Sequence, residues 1–406
     1  IFTGNTFNSK HFNSESGEKV IRIRDIPEGD TNTLYNGPVP DGYWIKNGDL
    51  LVGMDGDFHV GLWNGGDALL NQRVACIKAQ NKQVTKFLYY CMPEPLRIIQ
   101  DVKHSTTVKH LSITELKDTV VPKPPINVLE KITAFLDKKV AEIEELIELK
   151  TDLLNLIEEK RTVAISEAIT GETTSNTIKK QTDSEWYGEI PAHWELRRLN
   201  HVRDPKTPIV YGIIKPGPNQ DEGIPIIKGG DCKPNRLVPD KLSKTTKEKA
   251  EKYKRSELKE GDLVYEIRGS VGRVVKIPPE LAGANLTQDT ARISTRENID
   301  SGWLKYVLES ENFRQQMDLK TRGATVQGVN LFDLRRGIVP VPPLEEQKAI
   351  KKHLNSLNNK LDELESNTET LIQLLEEKRR SLIHRSVTGQ IDLSDWKPPD
   401  KLEVSQ

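Results

Sequence analysis

Arg, Lys, Asn and Gln recur in two separated groups along this chain. Their chemistry is that of cations that neutralise phosphates and of forked or amide groups that meet base edges. The first group holds Arg22, Arg24, Asn71, Gln72, Arg73, Lys103, His104, Thr106, Thr107 and Lys109. The second holds Lys228, Lys233, Arg236, Lys241, Arg268, Arg273, Gln288, Arg322, Thr325 and Gln327. Taken singly, each suits a solvated surface as well as a contact, and an inward-facing Gln72 or Gln288 would satisfy backbone groups instead. Other chemistries lack their residues. The sequence contains no GxxxxGK[ST] loop, no HExxH and no Cys/His cluster at zinc spacing. The Asn/Asp-Pro-Pro-aromatic tetrapeptide of adenine methylases is missing, and Lys397-Pro398-Pro399-Asp400 does not supply it. Asp55-Gly56-Asp57 lacks the later Glu of a calcium loop and reads as a turn. Gly269-Ser270-Val271-Gly272 has the spacing of an RNA-clamping GxxG without the rest of that fold. No catalytic residue, metal ligand or bound cofactor is therefore expected.

Folded domains must position these groups, and 406 residues suffice for two or three, each with its own core. The hydrophobic share of 35% and charged share of 29% fit a chain rich in exposed helix. No apolar run approaches the roughly 20 residues of a membrane span, so no membrane association is expected. Ile1 to Lys10 lack a basic stretch followed by an apolar one, so no signal peptide is expected there. Cys76, Cys91 and Cys232 have neither CxxC spacing nor the density of a disulfide framework, which suits a reducing cytoplasm. The net charge of -1 hides an uneven distribution: residues 186–340 hold 27 Lys and Arg against 21 Asp and Glu, whereas 126–170 hold 6 against 10.

A long-period repeat organises the chain. Val121-Pro122-Lys123-Pro124-Pro125 recurs 218 residues later as Val339-Pro340-Val341-Pro342-Pro343, and Glu158-Glu159-Lys160-Arg161 recurs at the same offset as Glu376-Glu377-Lys378-Arg379. After each proline run come apolar residues at alternating three- and four-residue steps, the spacing of a coiled-coil seam. In the second copy these are Ile350, Leu354, Leu357, Leu361, Leu364, Leu371 and Leu375, with a break at Thr368. In the first they are Ile132, Leu136, Ile143, Leu146, Leu153 and Ile157, with Lys139, Lys150 and Lys160 interrupting. Proline before each run and Gly171 or Gly389 after it predict two helices of about 45 residues. If the two pack along their length, chain order makes them antiparallel. The flanking segments repeat more faintly: Gly48-Asp49-Leu50-Leu51 answers Gly261-Asp262-Leu263-Val264, and Leu70-Asn71-Gln72 answers Leu286-Thr287-Gln288. Short alternating stretches between Gly- and Pro-rich turns read as strands, and 85–100 and 303–319 as short helices, giving two α/β or α+β domains.

The repeated Val-Pro-x-Pro-Pro helices, with Ile190-Pro191-Ala192-His193-Trp194, Gly269 to Arg273 and Leu286-Thr287-Gln288 in order, resemble the specificity (S, HsdS) subunit of type I restriction-modification systems. The likeness covers essentially the whole chain, except that no Ile-Pro-x-x-Trp opening precedes the first domain. It implies a pseudo-two-fold molecule: a first target-recognition domain over 1–121, a helical spacer over 122–171, a linker over 172–185, a second recognition domain over 186–339, a second spacer over 340–389 and a tail over 390–406. It also implies a non-catalytic reader of a split, asymmetric site in double-stranded DNA. Two modification (M, HsdM) subunits would bring S-adenosylmethionine, and restriction (R, HsdR) subunits would bring ATP and magnesium. The competing reading is a scaffold that binds no DNA, its coiled coil joining two interaction domains.

Overall fold

The central strands of each globular domain are short runs buried along their whole length, Leu50–Gly53 and Val74–Ile77 in the first and Leu263–Glu266 and Thr290–Ile293 in the second, rather than the alternating stretches expected, because both of their faces are covered. The computed structural model describes residues 1–12, 15–102, 109–173, 177–321 and 328–397. It divides into two units: Ile1–Thr151 with Glu369–Gln406, and Asp152–Thr368.

In the first unit Phe2–Thr3, Val74–Ile77, Leu50–Gly53 and Val60–Leu62 make an antiparallel sheet in that spatial order. A second sheet holds Leu34–Tyr35, Glu18–Ile21, Ala68–Leu70 and Trp44–Ile45, with Glu18–Ile21 and Ala68–Leu70 running parallel. The second unit repeats both. Val210–Tyr211, Thr290–Ile293, Leu263–Glu266 and Val274–Lys276 form the antiparallel sheet, and Ile224–Ile227 runs parallel to Asn285–Leu286 in the other. One close approach recurs. A Cβ on Gly4 would lie 1.9 Å from the Leu70 carbonyl oxygen, and one on Gly212 would lie 2.0 Å from that of Leu286, so only glycine fits beside either parallel strand.

The expected short helices are each split. Lys82–Cys91 gives way to Pro93–Val102 at a proline, and Ser301–Glu309 to Glu311–Asp318 at Ser310, whose hydroxyl accepts from Phe313 N. The two long helices are Ile126–Thr170 and Leu344–Val387, and Gly171 and Gly389 follow them at φ +78° and +73°. Glu172 N reaches back to Glu167 O and Gln390 N to Arg385 O, both at 2.8 Å, closing each terminus as a left-handed glycine cap does.

The long helices run antiparallel within each unit. Arg161 bonds Asp362 at 2.7 Å in one unit, and Arg379 bonds Glu144 at 3.1 Å in the other. The 218-residue offset carries Arg161 to Arg379 and Glu144 to Asp362, so these are two copies of one contact. Each unit takes an end of both helices into its core. Leu129, Ile132, Leu136, Val140 and Val387 pack with the first domain, and Ile165, Ala168, Ile169, Ile350 and Leu354 with the second.

The seam departs from the heptad reading. Ile132, Leu136, Ile143, Ile157, Ile350, Leu354, Leu361 and Leu375 are buried, and Leu153 and Leu357 are half-buried. Leu146, Leu364 and Leu371, expected in the core, are 45%, 42% and 39% exposed. Thr368, expected as a break, is buried and bonds the Leu364 carbonyl. The reason is geometric. A lone helix pair buries one narrow stripe fully, here at seven-residue steps through Leu354, Leu361, Thr368 and Leu375, and leaves the alternate stripe open to solvent.

Candidate nucleic-acid interface

The parallel strand pair of each domain places the polar groups. In the second domain Ile226 and Ile227 stand beside Asn285 and Leu286, so Lys228 and the Thr287–Gln288 turn emerge together. Thr287 N donates to Ile227 O at 3.0 Å and Gln288 N to Ile213 O at 3.0 Å. Glu266 ends the neighbouring strand opposite Thr290, and Ile267 N bonds Asp289 O, which brings Arg268 to the same end. Lys228, Arg268 and Gln288 are thus gathered from residues up to sixty positions apart.

Beneath them lies Glu266, 4% exposed. Its Oε1 accepts from Ser270 N at 3.1 Å, and its Oε2, 3.9 Å from Arg273 Nη1, has no hydrogen-bond partner among the described residues. Burial pushes this carboxyl above its usual range, against the opposing pull of the Ser270 N–H and the nearby Arg273 and Lys233 cations. Gly229 passes close enough that a Cβ there would meet Glu266 Oε1 at 2.7 Å.

The first domain builds the counterpart. Val20 and Ile21 run parallel to Leu69 and Leu70, so Arg22 emerges beside Asn71 and Gln72. Asn71 N donates to Ile21 O at 3.3 Å and Gln72 N to Asn5 O at 3.0 Å, the same two bonds as in the second domain. The turn after the first strand matches too: Asp25 Oδ2 accepts from Arg22 N at 2.9 Å, and Asp231 Oδ2 from Lys228 N at 3.0 Å. Charge then differs. Where the second domain has Arg268 and Asp289, the first has Asp55 and Arg73, ion-paired at 3.3 Å, with His110 Nδ1 at 2.6 Å from the same carboxylate.

The other expected contacts vary in how free they are. Arg22 lies over the Phe12 ring at 4.4 Å, and Arg24 is 3.6 Å from Asp25. Gln72 accepts from the Thr6 hydroxyl, and Asn71 Oδ1 from Arg73 N. Lys109 is half-buried, with its carbonyl taking Gly56 N. Lys228 donates to Ser243 Oγ and Arg236 to the Gly230 carbonyl. Lys233 is half-buried near Glu266, and Lys241 is exposed on a separate turn. Arg268 is exposed, with no ion pair among the described residues. Lys103, His104, Thr106, Thr107, Arg322, Thr325 and Gln327 lie outside the described residues. Their described neighbours His110 and Gly328 bridge to Asp55 and Arg268 at the two clusters.

Residue types alone missed the carboxylates Asp55 and Glu266. A signal for the first existed: the 213-residue offset of the Gly-Asp-Leu block carries Asp55 to Arg268. Among the described residues no group of three or more His, Cys, Asp or Glu could hold a metal ion, and no helix is long and apolar enough to cross a membrane. Burial pushes the Cys76 and Cys91 thiols up to about 12, which makes both unreactive packed groups.

A model of the type I restriction modification DNA specificity domain matches residues 1–159 and again 206–374. The EcoBI specificity subunit of Escherichia coli is 30% identical over 98% of this chain and 85% of that protein. The MjaVIII specificity subunit of Methanocaldococcus jannaschii is 22% identical over 86% of this chain and 80% of its own length. Two solved structures share the fold. One, described as the structural basis underlying complex assembly and conformational transition of the type I R-M system, gives a TM-score of 0.66 at 17% identity over 96% of both chains. The other is the HsdS subunit of Thermoanaerobacter tengcongensis, with a TM-score of 0.51 at 15% identity over 94% of both chains.

Proposed function

The chain belongs to the type I restriction modification DNA specificity family, and from that premise we propose that it is the sequence-reading subunit of a type I complex, each domain reading one half of a bipartite, asymmetric site in double-stranded DNA. The observation that carries this reading is the duplicated cluster. Arg22 with Asn71 and Gln72, and Lys228 with Gln288, follow equivalent parallel strand pairs, and Arg268 joins the second group from the end of the neighbouring antiparallel strand. Such groups supply both phosphate contacts and base-edge contacts. A scaffold that binds no nucleic acid would have no need of a cation and a glutamine, Arg22 with Gln72 and Lys228 with Gln288, at the same two places in both domains.

In this reading the subunit is non-catalytic and works in the cytoplasm, and its long helices set the unspecified gap. Exposed residues along those helices dock two modification subunits, which supply S-adenosylmethionine-dependent methylation. Restriction subunits bring ATP and magnesium. The test is selection of bound molecules from a random duplex pool, followed by sequencing. A motif of two short blocks separated by a fixed gap is the expected result; no enrichment over input would reject DNA reading in favour of the scaffold. The pure chain mixed with S-adenosylmethionine and cognate duplex is expected to transfer no methyl groups, and measurable transfer would overturn the non-catalytic assignment.

A further inference from the structure

Each domain carries a six-residue helix just before its Val-Pro-x-Pro-Pro turn, Ile113–Asp118 in the first and Leu331–Arg336 in the second. The two are built alike. Ser112 Oγ accepts from Glu115 N at 3.2 Å and Asn330 Oδ1 from Asp333 N at 2.9 Å, and Leu116 and Leu334, one 218-residue offset apart, are both buried. Other positions of the two helices differ in chemistry. Phe332 stands where the first helix has Thr114, and Arg336 where it has Asp118.

Phe332 is 64% exposed, and no other Phe, Tyr or Trp among the described residues is left so open. The Arg336 guanidinium lies 5.1 Å from its ring centre, exposed and without an ion pair among the described residues. Neighbouring Arg335 donates to Ile209 O, which pins the helix beside the strand Val210–Tyr211. The segment leading into this helix runs along the polar cluster: Gly328 bridges to Arg268, and Val329 N donates to Ile267 O at 2.9 Å. The exposed part of the ring contributes nothing to the fold, because apolar area stabilises only when it leaves water. A ring beside an unpaired cation, close in sequence to groups suited to phosphates and base edges, has the makeup of an apolar wedge that enters between base pairs while the cation meets a flanking phosphate.

We propose that Phe332 is such a wedge: it enters one base-pair step of the half-site read by the second domain and unstacks it, while Arg336 leaves the ring to hold the neighbouring phosphate. The inference rests on the DNA-reading function proposed above and adds to it a contact that selects sequence without a hydrogen bond. Steps that unstack readily, TA and CA/TG, are the ones it favours. The first domain, with Thr114 and Asp118 at the equivalent positions, has no such wedge, so the distortion is confined to one half-site.

The experiment uses the chain Ile1–Gln406 assembled with its modification subunits and the duplex recovered by selection from the random pool, with 2-aminopurine placed in turn at each adenine of either strand. Binding is expected to raise the fluorescence at one step, in the half-site that Gln288→Ala also weakens. Phe332→Ala, at an exposed position that does not threaten folding, is expected to abolish that rise, to relax the sequence preference at that step and to weaken binding about tenfold, the worth of one base contact with an aromatic ring. Phe332→Leu keeps an apolar wedge and is expected to retain most of the parent's fluorescence change. Equal affinity and equal fluorescence for Phe332→Ala and the parent would overturn the proposal and leave DNA reading standing. So would a Phe332→Ala chain that no longer assembles with the modification subunits, which would make the ring a protein contact. A parent that selects no motif from the pool would remove DNA reading and the wedge together.

Discussion

At the scale of single residues the second cluster separates two arginines that the sequence could not rank. Arg268 is exposed and free of ion pairs among the described residues, whereas Arg273 stands 3.9 Å from Glu266 and lines a cleft with the carboxylates Glu158, Glu309, Glu311 and Asp318. A guanidinium already among acids gives up favourable interactions to reach DNA. Arg268→Ala is therefore expected to weaken binding by about 1–3 kcal/mol at one half-site, the worth of a bidentate base contact, and Arg273→Ala by clearly less. Competition binding with each half-site mutated in turn checks this; equal losses on every sequence would mark both as phosphate contacts. Glu266 carries the matching pH prediction. Its folded-state pKa is raised by burial, so the stability linked to it is present below the usual 4.5 and is lost as pH rises through the folded value. Glu266→Gln removes that loss and spares the unbonded Oε2 its charge. The variant is expected to melt about 2–4 °C above the parent at neutral pH, with the difference shrinking toward pH 4. A constant difference across pH would refute the assignment. Sequence conveyed the residue types here, but not their placement, because Glu266, Gln288 and Lys228 come to one end of neighbouring strands only through strand pairing.

At the scale of elements the repeat was the most legible signal. Proline before and glycine after each apolar run fixed both long helices, whose bounds Ile126–Thr170 and Leu344–Val387 need no tertiary information. Periodicity could not say which of two alternating stripes would be covered, because that depends on what packs against the pair. Leu375→Ala, at a buried position, is expected to cost about 2–4 kcal/mol, and Leu371→Ala, at an exposed one, under about 1 kcal/mol. Denaturant titrations of the two variants decide it, and equal costs would restore the simple heptad core. A second duplicated contact was hidden altogether. The Tyr90 hydroxyl bonds Asp137 Oδ1 at 2.9 Å, and the Tyr306 hydroxyl bonds Asn355 Oδ1 at 2.7 Å, each tying a short domain helix to a long one. The 218-residue offset carries Asp137 to Asn355, two different residue types, so the duplication does not show as an identity in the sequence. Tyr306→Phe is expected to cost about 0.5–1.5 kcal/mol, and Tyr90→Phe more, since its acceptor is charged.

At the scale of the whole molecule, the repeat makes the two helices one device: Arg161 with Asp362 and Arg379 with Glu144 are the same contact made twice, so a change in one helix must be matched in the other. If the pair sets the gap between half-sites, extending it by matched heptads after Leu146 and after Leu364 should lengthen the preferred gap. One heptad in each helix adds about 10 Å, close to three base pairs. Three base pairs also turn the duplex by nearly a third of its 10–10.5 base-pair repeat, so the second half-site would face away from its domain. Three heptads add about 31 Å, near the roughly 34 Å of a full duplex turn, and bring the half-site back to the same face. The protein with three matched heptads, assembled with its modification subunits, is therefore expected to methylate duplexes whose gap is about nine base pairs longer, and more efficiently than the single-heptad protein methylates its own best gap. A duplex series differing only in gap length measures this. An unchanged preferred gap with activity retained would mean that the partner subunits set the spacing, and equal efficiency of the one- and three-heptad proteins would mean that the domains tolerate rotation about the DNA axis.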